Sequence, residues 1–309
     1  MNRPGVRLTY RFFRHVSGPI CHYVPVIGKT NIFSIDVEDW FHILDMPSAP
    51  VIAQWDRQPT RIEQNFNRLL ELLDVANVKA TCFTLSWVAQ RFPHLLRDAH
   101  ARGHEIASHG TAHELVYQQG EKLFDKDIAD SKKLLEDTIG HAVHGYRAPG
   151  FSVTEDTPFF HESLVKAGYT YDSSIFPASR GHGGLASAPS SPYLLETASG
   201  PIWEFPISVA TVLNRRICFS GGGYFRLLPY GFIKECFQKT NDNGLPVVFY
   251  IHPRDIDPHQ PRLPMSWKRH FKSYIGLRGA ENKMKRVLQD FRFDTFAAYL
   301  SQDRGEDAS

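Results

Sequence analysis

Three carboxylates stand close together at the end of an apolar run in the segment NIFSIDVEDWFH. Asp36, Glu38 and Asp39 lie within four residues, and their charges repel one another unless a cation lies between them. Because side chains alternate along a strand, Asp36 and Glu38 would share one face and Asp39 the other. We therefore expect one carboxylate to bind a metal and another to act as a base.

Two histidines follow at a spacing that suits a shared metal ion. His109 and His113 are four residues apart in SHGTAHE, so on a helical turn both imidazoles would lie on one face, about 6 Å apart along the axis. Gly110 argues against a regular helix that begins before it. With a carboxylate from the first strand, this pair gives the ligand set of catalytic zinc, and equally that of iron(II) oxygenases. The alternative is a pair of surface histidines at a helix start.

Three further polar residues stand at the ends of predicted strands. Arg147 in GYRAPGF would hold a carboxylate in a bidentate fork and keep it charged. His252 follows the apolar segment VVFYI, and an imidazole that titrates near neutrality suits a general acid. Asp172 is predicted to orient His252. The alternatives are a surface arginine and a structural histidine.

Strand-like and helix-like segments alternate along the chain, which predicts a parallel sheet with helical crossovers. The length favours closure into an α/β barrel, whose active site lies at the carboxyl ends of the strands. An open doubly wound sheet is the alternative, although no glycine-rich phosphate loop follows a strand. The Gly-, Ser- and Pro-rich segment 178–200 is expected to be a long surface loop, either a lid or an irregular connection. The predicted strands are NIFSID, VKATCFTLS, HEIASH, AVHGYRAPG, YTYDSS, PIWEFPIS and PVVFYIH.

Composition narrows the class of partner. The 309 residues include 35 Lys+Arg and 33 Asp+Glu, and the net charge of +2 gives no reason to expect nucleic acid. The four separated cysteines indicate free thiols in a reducing compartment. No signal-peptide pattern and no apolar stretch of about 18 residues is present, so we expect a cytoplasmic protein without a transmembrane segment. The expected organisation is an N-terminal arm over 1–28, a single domain over 29–300 and a disordered tail over 301–309.

In chain order these residues resemble the five motifs of the polysaccharide deacetylases, the NodB-homology or carbohydrate esterase 4 family. The family's Asp-Asp motif resembles SIDVED, its His-x-x-x-His motif HGTAH and its Arg-x-Pro motif YRAPGF. Asp172 in YDSS and His252 in YIHP are similar to the last two motifs. The match covers roughly residues 30–255, and the downstream segments resemble the C-terminal extension of a subgroup associated with exopolysaccharide and exosortase gene clusters.

The resemblance implies a distorted (β/α)7 barrel with one divalent metal ion, usually Zn²⁺. It makes Asp36 the general base and His252 the general acid, with Arg147 steadying the base and Asp172 tuning the acid. His109 and His113 would be metal ligands, together with Glu38 or Asp39. The chain departs from the family where Val37 separates Asp36 from the next acid, which favours Glu38, and where Tyr250 replaces the leucine of Leu-x-His.

The predicted function is hydrolytic removal of N-acetyl groups from an N-acetylated polysaccharide or its sugar precursor. Gly150 is the candidate backbone donor for the oxyanion. Three other functions use the same residues: an allantoinase-like amidohydrolase on a small C–N substrate, an iron-dependent oxygenase, and an inactive glycan-binding homologue. The sequence does not predict the natural glycan or the oligomeric state.

Overall fold

The computed structural model describes residues 21–22, 30–44, 46–178 and 183–305 of the chain. The structure is mixed α/β, with most helices placed between successive strands. The strands are β1 (Cys21–His22), β2 (Thr30–Val37), β3 (Thr81–Thr84), β4 (Glu105–Ser108), β5 (Gly145–Tyr146), β6 (Tyr171–Asp172), β7 (Tyr193–Thr197), β8 (Gly200–Glu204), β9 (Val209–Val212), β10 (Arg215–Cys218), β11 (Val248–Ile251) and β12 (Arg292–Asp294). The helices are α1 (Ile52–Trp55), α2 (Ile62–Ala76), α3 (Ser86–Arg91), α4 (Pro93–Ala101), α5 (Val116–Gln119), α6 (Glu121–Ile139), α7 (Phe160–Lys166), α8 (Gly222–Leu227), α9 (Tyr230–Asp242), α10 (Trp267–Tyr274), α11 (Leu277–Asp290) and α12 (Phe296–Gly305).

Seven parallel strands curl into a distorted barrel, as the sequence predicts. Their order in the sheet is β11-β2-β3-β4-β5-β6-β8, so the first and last of these seven strands along the chain, β2 and β11, are direct neighbours. Strand β12 also pairs parallel with β2. The opening between β8 and β11 is spanned by residues 205–221. In this span Ser208 Oγ accepts from Val248 N at 2.9 Å, and Gly221 forms an isolated parallel bridge with Tyr250. Strands β7 and β1 extend the sheet antiparallel beyond β8.

Two apolar layers hold the barrel together. The outer layer lies between sheet and helices, where α2 buries Phe66, Leu69 and Leu73 at helical spacing. The inner layer fills the barrel itself. Helix α12 contributes Phe296 to it, and this ring stacks on Tyr171 with a centroid distance of 5.0 Å. The interior is therefore packed with side chains, which leaves the carboxyl ends of the strands as the place for a site.

Two segments differ from the sequence predictions. The expected surface loop 178–200 contains β7, because Tyr193 and Leu195 alternate as buried residues along an edge of the sheet. The expected disordered tail 301–309 is helical as far as Gly305, where α12 ends, and residues beyond it lie outside the described part. Of the expected N-terminal arm, only Cys21–His22 is described, and it pairs with β7. Among the described residues, none of the helices has the length and apolar character needed to cross a bilayer.

Candidate active site

Strand β2 delivers two carboxylates to the carboxyl end of the barrel. Asp36 and Glu38 are 2% and 5% exposed and lie on the inner face, where strand alternation predicts them. Neighbouring residues of β2 on the other face, Ile35 and Val37, pack into the outer apolar layer. The apolar run before the carboxylates therefore anchors the strand, and its end presents charge to the cleft.

Glu38 lies against both predicted histidines. Its Oε1 is 3.2 Å from His113 Nε2 and 3.4 Å from His109 Nε2, and both nitrogens are buried and otherwise unpaired among the described residues. His109 Nδ1 donates to the carbonyl of Arg147 at 2.7 Å, so its Nε2 presents a lone pair. Two buried imidazole nitrogens and a carboxylate within 4.8 Å of one another fit a divalent ion such as zinc.

The electrostatics of Glu38 also favour a charged ligand group. Burial by itself would raise the pKa of Glu38. The nearby imidazoles of His113, His252 and His109 outweigh that effect and hold the pKa of Glu38 well below its usual range. This carboxylate is therefore ionised before any cation arrives, which is the state in which it can bind one.

Asp36 is held by a fully buried arginine. Arg147 Nη1 donates to Asp36 Oδ1 at 2.6 Å and to Ser34 Oγ at 2.9 Å, while its remaining nitrogens donate to the carbonyl and hydroxyl of Ser173. The guanidinium also lies 4.1 Å from the ring centre of Phe83. A charge that is 0% exposed requires such a full set of partners. Arg147 thus fixes the position of Asp36 at the cleft floor.

His252 lies across the cleft from both β2 carboxylates. Its Nε2 is 3.7 Å from Asp36 Oδ2 and 3.6 Å from Glu38 Oε1, and its Nδ1 is 2.9 Å from Asp255 Oδ2. Burial by itself would lower the pKa of His252. The carboxylates of Asp255, Glu38 and Asp36 prevail and raise it to about 9. Arg226 in turn lies 2.8 Å from Asp255.

Asp39 lies apart from the group formed by Glu38, His109 and His113, which decides the choice that the sequence left open. Its Oδ1 accepts from Trp40 N at 2.7 Å, and its Oδ2 accepts from the backbone of Arg61 and Ile62 at 2.8 and 3.2 Å. Asp39 therefore caps the start of α2, on the face opposite Glu38. Glu38 is the carboxylate that joins the two histidines.

The two histidines do not lie on a helical turn, in agreement with the argument from Gly110. His109 follows β4 directly, Gly110 adopts a φ of +75° and His113 a φ of +56°, so the segment is a loop. Asp127 on α6 holds this loop by accepting from Thr111 N at 3.1 Å. The four-residue spacing still brings the imidazoles together, because the loop folds back over the barrel end.

Asp172 does not orient His252, contrary to the sequence prediction. Ser174 Oγ donates to Asp172 Oδ1 at 2.5 Å, and Asp172 lies beside Glu204 and His161 at the end of β6. Burial and the neighbouring Glu204 raise the pKa of Asp172 well above its usual range. Ser174 Oγ also accepts from Ala148 N at 2.8 Å, so Asp172 supports the Arg147 segment indirectly.

Sequence reasoning did not single out several residues of this site. Asp255 was detectable as an acid three positions after His252, whereas Arg226 has no sequence signal because it arrives from α8. Ser34 and Ser173 also lack a sequence signal, because their role is to accept hydrogen bonds from the buried guanidinium of Arg147. The residues meet in a cleft of about 210 Å³, lined by Asp36, Glu38, His42, Ile43, Leu44, His113, Gly150, Phe151, Tyr250, His252, Arg254 and Arg269.

Two family models match successive segments of the chain. Residues 45–171, which include His109, His113 and Arg147, match the family described as polysaccharide deacetylase. Over these residues the chain is similar to that family. Residues 173–301, which include His252, match a domain of unknown function, DUF3473. Asp36 and Glu38 precede the deacetylase match, so the site joins residues from inside and outside it.

Curated proteins with a similar sequence match part of this chain. It is 30% identical over 113 residues to the peptidoglycan deacetylase of Helicobacter pylori, which is 37% of this chain and 38% of that protein. It is 30% identical over 102 residues to a peptidoglycan-N-acetylglucosamine deacetylase of Bacillus cereus, 33% of this chain and 46% of that protein. The chain thus spans less than half the length of these curated relatives.

Solved structures support the fold. A Mycobacterium smegmatis structure classed as a polysaccharide deacetylase superposes with a TM-score of 0.60 at 23% identity, covering 94% of this chain and 95% of that one. The Puue allantoinase superposes with a TM-score of 0.57 at 15% identity, covering 87% and 88%. At these identities the likeness concerns the distorted (β/α)7 barrel alone.

Proposed function

We propose that this protein is a metal-dependent hydrolase that removes N-acetyl groups from an N-acetylated saccharide. The observation that carries the proposal is the convergence of two separate sets of groups on one cleft. Glu38, His109 and His113 form a ligand set, while Asp36 and His252 face each other beside it. The deacetylase match and the curated peptidoglycan deacetylases support the substrate class.

Glu38, His109 and His113 would hold the metal, for which we propose Zn²⁺ because two imidazoles and one carboxylate suit it. When bound, the ion would polarise the amide carbonyl and lower the pKa of a water molecule. His109 Nε2 is available for this because its Nδ1–H donates to the Arg147 carbonyl at 2.7 Å.

Asp36 is the proposed general base. Its carboxylate, held by Arg147, accepts a proton from the attacking water. Gly150 lines the cleft, and its N–H donates to none of the described protein acceptors, so it is free to donate to the substrate carbonyl oxygen. Arg147 stays fully bonded and acts by positioning Asp36.

His252 is the proposed general acid. Protonated and held by Asp255, it donates a proton to the amide nitrogen as the C–N bond breaks. The amine leaves with the proton that His252 donates, Asp36 keeps the proton taken from water, and the acetic acid formed ionises to acetate. Without this donation the leaving group would be a strongly basic amide anion.

The match of residues 173–301 to DUF3473 supports a finer proposal. We infer that the chain belongs to the subgroup associated with exopolysaccharide synthesis, acting on a polysaccharide or its precursor. The likeness to an allantoinase concerns the fold and, at 15% identity, carries no information about the substrate. A small cyclic amide is the alternative substrate class, and the same experiment includes it.

The test measures acetate release from N-acetylglucosamine oligomers, and the disappearance of allantoin, with protein stripped by a chelator and then reloaded with Zn²⁺. We expect turnover of N-acetylglucosamine oligomers and none of allantoin. Asp36→Asn is expected to lower kcat about 10²–10⁴-fold, the usual contribution of a general base. Asp156→Asn, an exposed aspartate, is the matched control and should leave kcat unchanged. Turnover that is independent of added metal, or unaffected in Asp36→Asn, would refute the mechanism.

A further inference from the structure

We propose that the cleft binds a negatively charged group of its saccharide substrate, a carboxylate or a phosphate, through the guanidinium groups of Arg254 and Arg269. This inference rests on the proposed function, because it names the class of N-acetylated saccharide that the same cleft would accept. An acidic sugar residue and a sugar phosphate present the same chemistry to an arginine, and the experiment below separates them.

Arg254 lies two residues after His252, in the 3₁₀ turn Pro253–Ile256, and lines the cleft. Its side chain is half-buried, yet within the described chain its guanidinium forms no ion pair and no hydrogen bond. Its carbonyl oxygen accepts from Gln260 Nε2 at 2.7 Å and from Asp257 N at 3.2 Å. The carboxylates of Asp255 and Glu38 attract its charge from beyond ion-pair distance. An arginine that is partly removed from water without an acceptor is poised for an external anion.

Arg269 reaches the same cleft from α10. Its Nη2 donates to the carbonyl of Leu44, which fixes the side chain at the cleft rim. No described carboxylate forms an ion pair with Arg269. Two guanidiniums from separate elements, Arg254 from the turn after β11 and Arg269 from α10, therefore face one opening.

The carboxylates around the cleft already have cationic or imidazole partners within the protein. Asp36 pairs with Arg147 at 2.6 Å, and Asp255 pairs with Arg226 at 2.8 Å as well as with His252. Glu38 faces the histidine pair. The charges of Arg254 and Arg269 are thus left as a positive excess, and a cleft of one sign with low-dielectric walls concentrates its field on an incoming ligand.

The segment that carries Arg269 is also positively charged. Residues 258–274 contain four Lys and Arg and no Asp or Glu, and α10 lies within this stretch. The planar guanidinium matches a carboxylate or phosphate in a two-bond fork, which a neutral hydroxyl does not reproduce. A neutral N-acetyl sugar would use the metal site and the Gly150 N–H while leaving both arginines unmatched.

The test compares kcat/KM for matched neutral and anionic substrates of the Zn²⁺-loaded protein. One pair is methyl N-acetylglucosaminide and N-acetylglucosamine 1-phosphate. The other is diacetylchitobiose and a disaccharide of N-acetylglucosamine and glucuronic acid. We expect at least one anionic member to be preferred by about tenfold or more, with the preference weakening at high salt. The pair that shows it identifies phosphate or carboxylate as the bound group.

Arg254→Gln should lower the anionic-to-neutral ratio by roughly 10–100-fold, as expected for loss of a hydrogen bond between charged groups. Because the ratio is internal, it does not depend on the fraction of folded enzyme. Arg254→Lys should retain part of the preference, since the charge remains without the fork. The control Arg278→Gln removes an exposed arginine outside the cleft lining and should leave the ratio unchanged.

A wild-type ratio near one in both pairs, or an unchanged ratio in Arg254→Gln, would overturn the inference while leaving deacetylation intact. If no saccharide is turned over, the proposed function fails, and binding still tests the inference. Calorimetry with Asp36→Asn should then show tighter binding of N-acetylglucosamine 1-phosphate than of the methyl glycoside. Equal binding, or equal affinities in the Asp36→Asn/Arg254→Gln double variant and its parent, would overturn it.

Discussion

The adjacent acidic residues Glu38 and Asp39 make entirely different contacts in this protein. Glu38 points to His109 and His113. Asp39 turns to the other face, where it accepts from the backbone N–H of Trp40 and from two backbone N–H groups at the start of α2. Burial raises the pKa of Asp39, and the hydrogen bonds from Arg61, Trp40 and Ile62 oppose that rise. The direction of each side chain therefore decides between binding a cation and stabilising a helix terminus.

These different contacts predict that Glu38→Ala and Asp39→Ala change different properties of the protein. Glu38→Ala should weaken Zn²⁺ binding by at least roughly 100-fold, because it removes a proposed ligand. Asp39→Ala should leave three backbone donors unsatisfied and lower the free energy of unfolding by about 3 kcal/mol. Chelator competition measures the first effect and urea unfolding of the metal-free protein measures the second. Loss of metal affinity in Asp39→Ala, with normal affinity in Glu38→Ala, would reverse the assignment.

Asp255 sets the protonation range of His252. Its carboxylate makes the largest contribution that raises the pKa of His252, which reaches about 9 against the opposing effect of burial. A general acid works only while protonated, so activity is present below this pKa and lost as pH rises through it.

Asp255→Asn should therefore lower the pKa of His252 and move the alkaline limb of kcat/KM to lower pH by roughly one unit or more. The pH profile of kcat/KM for the Zn²⁺-loaded variant measures this shift, with Asp156→Asn as the control. An unmoved alkaline limb would mean that His252 does not supply the proton, or that Asp255 does not tune it.

At the scale of elements, the barrel closes through a contact that only glycine permits. Gly221 bridges to Tyr250 on β11, and a Cβ there would lie 2.2 Å from Tyr250 Cδ1 and 2.3 Å from its carbonyl oxygen. The backbone of the 205–221 span can approach β11 this closely because no side chain intervenes. The same strand carries His252 at its end, so closure and site geometry depend on one contact.

Gly221→Ala is expected to destabilise the protein by about 3 kcal/mol, because the backbone of β11 cannot move aside without disturbing the sheet. It should also lower kcat through displacement of His252. Gly231→Ala in α9 is the matched control: an added Cβ meets nothing within 4 Å, so stability should be unchanged or rise by up to about 1 kcal/mol. Equal urea midpoints for the two variants would contradict the role given to Gly221.

At the scale of the whole molecule, the two segments matched by different family models share one sheet. Strands β8 and β11, from residues 173–301, pair with β6 and β2. This second segment also supplies His252, Asp255 and Arg226 to the cleft. The deacetylase match alone therefore contains the histidine pair and Arg147 but lacks the proposed acid and the residues that hold it.

The sequence by itself determined the alternation of strands and helices, since helical and strand periodicities are local patterns of apolar residues. It also determined which strand ends carry polar groups, so Asp36, Glu38, His109, His113, Arg147 and His252 could all be predicted to meet in a parallel barrel. Strand β7 was missed because its short alternation of buried residues follows a segment rich in turn residues.

Only the tertiary structure decided which partner each polar group takes. Asp39 capping α2, Asp255 in place of Asp172 beside His252, and Arg226 behind Asp255 all depend on contacts between elements distant in the chain. The two unmatched arginines at the cleft became visible for the same reason. Local patterns fix the direction in which a side chain leaves its strand, whereas burial and pairing depend on what the rest of the barrel brings to that point.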